Sequence, residues 1–214
     1  MKKLTPVLLS FVVLAVGAAA SSGSVPARVM LWNGRDLAGW TVFVGDPAVA
    51  SASTWSVADG VLRLDSKANG YLRTEKEFSN YRLHVEWRWA KDAPDNANSG
   101  VMLHVHGPDV VWPLCFEAQL KTGNAGQVVG MGLDIPAAPV LNNRKRAPRL
   151  AEPSEHPRGE WNTYEIVARG DTIEVHVNGV RQNFVENLPI SKGAIALQME
   201  GFPIEFRNVW LEPH

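Results

Sequence analysis

The chain has 214 residues, a formal net charge of −1 and 45% hydrophobic residues. A chain of this length buries roughly 70% of its unfolded surface in one core, so it needs no covalent or metal staple. Near-zero charge without a basic stripe excludes the usual nucleic-acid binder, and a single cysteine, Cys115, excludes an internal disulfide.

The chain opens with Met1-Lys2-Lys3, the apolar run 7-VLLSFVVLAVGAAA-20 and the small residues Ala18-Ala19-Ala20. This is the pattern of a bacterial secretory signal, and the run is shorter than the ~20 residues that span a bilayer. The expected organisation is a signal over 1–20, a flexible linker over 21–28 and one domain over 29–214. The mature protein is expected in the periplasm or medium, without membrane association.

From residue 40 onward, short runs alternate apolar and polar residues between Gly, Asn, Asp and Pro. They fall at 40–44, 54–59, 60–65, 81–90, 100–107, 114–121, 161–169, 171–178, 180–185, 193–200 and 204–212. Asn178-Gly179 between two such runs is a strong hairpin signal. Regular spacing of strand-like runs predicts an all-β sandwich or barrel, with no helix longer than a turn or two. The stretch 122–160, rich in Pro and Gly, reads as a long loop folded as a flap over one face. The basic triplet 144-RKR-146 inside it reads as solvated.

Sorting side chains by the period of two separates the faces. Leu83, Val85, Trp87 and Trp89 oppose Arg82, His84, Glu86 and Arg88. Val101, Leu103 and Val105 oppose Met102, His104 and His106. Phe116, Ala118 and Leu120 oppose Glu117, Gln119 and Lys121, and Ile195, Leu197 and Met199 oppose Ala196, Gln198 and Glu200. The four polar faces hold Arg, His, Glu and Gln, whose planar donors and acceptors match the paired hydroxyls of a sugar. An ordinary hydrated face is the alternative. Trp112, beside Pro113 at a strand entry, reads either as a sugar-stacking platform or as a buried tryptophan.

His104-x-His106 is readable as a metal pair or as two hydrogen-bonding histidines. The run 92-DAPDNANSG-100 is readable as a Ca²⁺ loop or as plain turn chemistry. No cofactor is expected, with Ca²⁺ or another divalent ion as the alternative. There is no nucleophile elbow, phosphate loop, dinucleotide fingerprint or His-Glu-x-x-His motif, so catalysis would fall to carboxylates or histidines.

The segments 31-LWNGRDLAGW-40, 54-TWSVADGVL-62, 71-YLRTEKEFSNYRLHVEWR-88, 98-NSGVMLH-104, 116-FEAQL-120, 159-GEWNTYEIVARGDTIEVHVNG-179 and 205-EFRNVWLE-212 together resemble the 3-keto-disaccharide hydrolase domain family. The resemblance implies a two-sheet antiparallel jelly-roll sandwich of the concanavalin-A-like lectin/glucanase type. It also implies a carbohydrate groove on the more concave sheet, and action on 3-keto-glycosides. The family's Glu-x-Gln pattern falls on Glu117 and Gln119, and its Asn-Ser-Gly on Asn98, Ser99 and Gly100. The late strand keeps Gln198 but has Glu200 where many relatives carry His.

On this footing Glu117, Gln119 and His104 are the expected catalytic residues, Glu117 acting as base. Arg88, Glu86, His84, His106, Asn98, Lys121, Gln198, Glu200 and Trp112 are the expected substrate contacts. Hydrolysis by paired carboxylates, a non-catalytic carbohydrate-binding module on the same face, and a sandwich without ligand are the alternatives.

Overall fold

The computed structural model describes residues 1, 27–65 and 67–214. The expected signal, apart from Met1, and most of the linker lie outside the described residues. Among them are sixteen strands in two antiparallel sheets and no α-helix. The first sheet runs β14 (Val180–Val185), β13 (Thr172–Val177), β12 (Asn162–Arg169), β6 (Tyr81–Trp89), β16 (Ile204–Pro213), β4 (Val61–Leu64), β3 (Trp55–Ala58), with β1 (Val29–Met30) also on β16. The second runs β10 (Val140–Leu141), β11 (Arg144–Ala147), β9 (Val128–Met131), β8 (Leu114–Gln119), β7 (Gly100–His106), β15 (Gly193–Met199), β5 (Gly70–Phe78), β2 (Trp40–Val44). This is the jelly-roll sandwich.

The inner faces are those that period-two sorting assigns. Leu83, Val85, Trp87 and Trp89 of β6 meet Val101 and Leu103 of β7, Phe116 and Ala118 of β8, and Ile195, Leu197 and Met199 of β15 in one core. Burying each large side chain there contributes roughly 1.5–3 kcal/mol. Tyr164, fully buried, spends its hydroxyl on the Gln119 carbonyl and the Gly126 amide, tying the first sheet to the end of β8.

Three expectations change. The stretch 122–160 carries three strands, β9, β10 and β11, which extend the second sheet beyond β8. β5 is a central pairing partner of β2 and β15, although its Glu75-Lys76-Glu77 run carries no strand signal. β6 lies in the first sheet, so the four polar faces do not form one surface. Arg82, His84, Glu86 and Arg88 point outward on the far side of the molecule from Glu117.

A bulge supplies the fourth change. The pairing of β7 with β8 slips between Leu103 and His106, and His104 takes φ +54°. The slip turns His104 inward against Tyr81 and Phe116 and sends Val105 to the outer face. Gly193 permits it, since a Cβ there would lie 2.4 Å from the His104 carbonyl carbon.

Candidate functional site

The outer face of the second sheet is itself covered. Tyr71, Met102, Cys115, Met131 and Ala196 form a second apolar cluster, each at most 2% exposed. The segment 107–113 crosses this face. Asp109 accepts from Tyr71 Oη (2.9 Å) and from Arg73 Nε and Nη2 (2.8 and 3.1 Å). From the other side the β10–β11 hairpin approaches, and Arg144 lies 4.9 Å over the Trp112 ring. Burial pushes the Cys115 thiol well up, which fits a packed rather than a reactive cysteine.

A polar patch is set in this apolar floor. Glu117 stands opposite Met102 on β7, and its carboxyl leans over Gly100: a Cβ on Gly100 would fall 2.4 Å from Glu117 Oε1 and 2.6 Å from its Cγ. On the other flank of β7, Leu197 pairs with Val101, which sets Gln198 beside Gly100. Lacking a side chain, Gly100 makes room for the Glu117 carboxyl between the two strands. Asn98 bridges by backbone to Glu200, and its side chain lies against that carboxylate.

Four of the nine buried side-chain polar atoms without a partner among the described residues belong here: Glu117 Oε1, both amide atoms of Gln198 and Asn98 Oδ1. Folded proteins satisfy nearly all such atoms, and leaving one bare costs ~1–3 kcal/mol. Their concentration beside two carboxyls on the outer side of the sheet marks the place as the candidate site.

The two carboxyls are held apart in acidity. Burial, then the charge of Glu200, pushes Glu117 up to about 8 against the pull of Arg144 and Arg146. Burial also raises Glu200, but Asn98, Arg144, Arg146 and Lys121 all oppose it. At neutral pH the pair therefore offers a protonated Glu117 beside a more acidic Glu200, the pattern that divides acid from base roles.

Of the residues expected from sequence, Glu117, Gln198, Glu200 and Asn98 come together. Gln119 and Lys121 join Asn98 around an adjoining cleft of about 280 Å³. The Gln119 oxygen is already committed to the amides of Leu120 and Lys121 (3.0 and 2.9 Å). Trp112, 37% exposed, stands at the rim.

The others fall elsewhere. His104 is in the core, 0% exposed, with neither ring nitrogen hydrogen-bonded among the described residues. Burial lowers its pKa to about 4, the nearby Ile190 carbonyl opposing. His106 sits at the end of β7 in a separate cleft with Arg73, Glu75 and Glu77. His84, Glu86 and Arg88 belong to an ion-pair ladder on the first sheet. There Glu165 meets Arg82 and His84, Glu86 meets Arg207 (2.6 Å), and Glu205 meets Arg88 (2.6 Å).

The readings of a metal change too. His104 is buried in the core while His106 is exposed in a separate cleft. Arg158 closes the 92–100 turn onto the Asp95 carboxylate and the Ala93 carbonyl. Among the described residues no three His, Cys, Asp or Glu side chains gather at metal-binding spacing.

Sequence reasoning missed Arg144 and Arg146. Arg146 pairs with Val129, and Val129 pairs with Glu117, so all three share a face, and Arg144 shares it by alternation while Lys145 turns to Asp134. The alternation was present in Arg144-Lys145-Arg146, but the neighbouring prolines hid a strand.

Comparison with known proteins agrees with this geometry. The 3-keto-alpha-glucoside-1,2-lyase-like domain model matches residues 27–212. Among solved structures, a Parabacteroides distasonis protein assigned as a glycosyl hydrolase superposes with TM-score 0.64 at 20% identity, over 87% of this chain and 94% of that one. A Bacillus licheniformis β-glucanase gives 0.60 at 13%, over 90% and 100%. A carbohydrate-binding module of Bacillus subtilis gives 0.58 at 12%, over 81% and 95%. No curated protein matches the chain. At these identities the likeness establishes the sandwich, not the chemistry.

Proposed function

The chain belongs to the 3-keto-alpha-glucoside-1,2-lyase-like domain family, and we propose that it cleaves 3-keto-glycosides by elimination at the Glu117–Glu200 pair. The observation that carries this reading is the cluster of unpartnered buried polar atoms around two carboxyls of unequal acidity.

A ketone at C3 makes the C2 proton acidic. Ionised Glu200 removes it, the C2–H electrons form the C1=C2 bond, and the C1–O bond breaks. Protonated Glu117 delivers its proton to the departing oxygen, which leaves as an alcohol. Gln198 and Asn98 bind hydroxyls. Water then adds at C1 and a proton at C2. Glu117, the base expected from sequence, thus takes the acid role, because its buried site disfavours the anion.

Turnover of a 3-keto-disaccharide in D₂O, followed by NMR, tests this. Elimination and rehydration place deuterium at C2 of the released sugar. Release with C2–H retained would replace elimination by paired-carboxylate hydrolysis. Binding without any product would select the carbohydrate-binding reading, which exposed Trp112 and the likeness to a binding module favour. Gly100→Ala is expected to lower kcat/KM by roughly 10²-fold, the cost of displacing a reacting group by about 1 Å, while KM changes little.

A further inference from the structure

The rim of the site carries charge that the neutral sugar does not use. Arg144, Arg146 and Lys121 all act on Glu200, and the two arginines act on Glu117 as well. Among the described residues none of the three has a carboxylate within ion-pair distance. By contrast Arg63, Arg73, Arg82, Arg88 and Arg207 each meet an acid. Two acids, Glu117 and Glu200, face three cations there, so even with both ionised one positive charge is unbalanced.

The arginines are also positioned rather than loose. Arg144 is stacked on Trp112, and Arg146 Nε donates to the Leu141 carbonyl (3.3 Å). Across β7 from Glu117 lies Gln198, fully buried with both amide atoms unpartnered. A guanidinium presents a planar fork of donors that matches a carboxylate or a sulfate in two parallel hydrogen bonds.

Resting on the site proposed above, we infer that its substrate is an acidic glycoside, whose carboxylate or sulfate ester is bound by Arg144, Arg146 and Lys121. Gln198 and Asn98 then hold the neutral hydroxyls, and the cations select the charged sugar and fix its direction in the cleft. The substituent sits away from the carbons that react, so the cations would govern binding more than the chemical step.

NMR titration of the mature protein with methyl glucoside, methyl glucuronide and methyl glucoside 6-sulfate reads this directly, without any turnover. At low salt the glucuronide or the sulfate is expected to bind roughly tenfold tighter than the neutral sugar, as charge-assisted hydrogen bonds imply. The preference is expected to vanish in Arg144→Gln/Arg146→Gln and to shrink in Lys121→Gln, whose exposed position leaves the fold intact. It is also expected to fall at about 0.5 M salt, where charges are screened within a few ångströms. Whichever of the two anions binds names the substituent. Equal binding of all three, no binding of either anion, or a preference that survives the double variant overturns the inference. Because ligands without a 3-keto group are used, failure of elimination chemistry leaves this result standing. Turnover without anion preference overturns only the inference.

Discussion

Glu117→Gln is expected to lower turnover of a 3-keto-disaccharide by about 10³-fold or more, within the range of a lost general acid, while the protein still folds. The amide keeps the shape that Gly100 accommodates and cannot hand over a proton. The same variant carries a stability signature that a merely structural residue would lack. In the folded protein Glu117 titrates at about 8 against an ordinary 4.5, so between these values the folded state binds the extra proton. Its contribution is complete below pH 4.5 and is lost as the pH rises through 8. The full loss amounts to at most about 5 kcal/mol. Melting temperature against pH should therefore fall between about pH 6.5 and 8 in the parent and fall less in the variant. Turnover near parental levels would remove Glu117 from the chemistry. An unchanged pH slope would mean that its carboxyl is not held protonated.

The second large effect belongs to His104, and it has the opposite sign. Burial lowers this imidazole from 6.5 to about 4, so between these values the unfolded chain takes up a proton that the folded core refuses. Stability from this group is full above pH 6.5 and is lost as the pH falls through 4, by about 3 kcal/mol. Between about pH 4.5 and 6.5 the slopes of His104 and Glu117 oppose each other, so the parent's stability should vary less with pH there than that of either variant. His104→Asn, which tolerates the left-handed backbone, should unmask the Glu117 slope across that range, and Glu117→Gln should unmask the rise due to His104. Denaturant unfolding at half-unit pH steps would read both. A constant offset from the smaller Asn side chain leaves the slopes untouched. A pH dependence unchanged in both variants would assign it to other groups. Activity per folded molecule is expected to be unaffected in His104→Asn, since the ring faces Tyr81 and Phe116 in the core.

These two residues show how far strand periodicity reaches. Parity assigned the inner faces of β6, β8 and β15 correctly because unbroken strands alternate by geometry alone, and it placed Glu117 and Gln198 on the outer side of their sheet. For His104 it failed, because one extra residue in a strand reverses every side chain beyond it. The bulge is licensed by Gly193, 89 residues away in the chain. Parity also could not say which sheet holds a strand. His84, Glu86 and Arg88 alternate as cleanly as Glu117 and Gln119, yet β6 pairs with β12 and β16 on the other layer.

By itself, the sequence determined the all-β sandwich and its family, and it put Glu117 and Gln198 on the outer side of their strands. Each of these is written in local alternation, in turn chemistry or in ordered motifs. Tertiary structure alone decided which polar groups share a surface, since that depends on strand order and on bulges set by distant partners. It also decided acidity, because a carboxyl's pKa reflects its burial and the charges around it. Arg144 and Arg146 acquired their place beside Glu117 in the same way, when β9 and β11 extended the second sheet and carried a triplet that reads as solvated to the rim of the site.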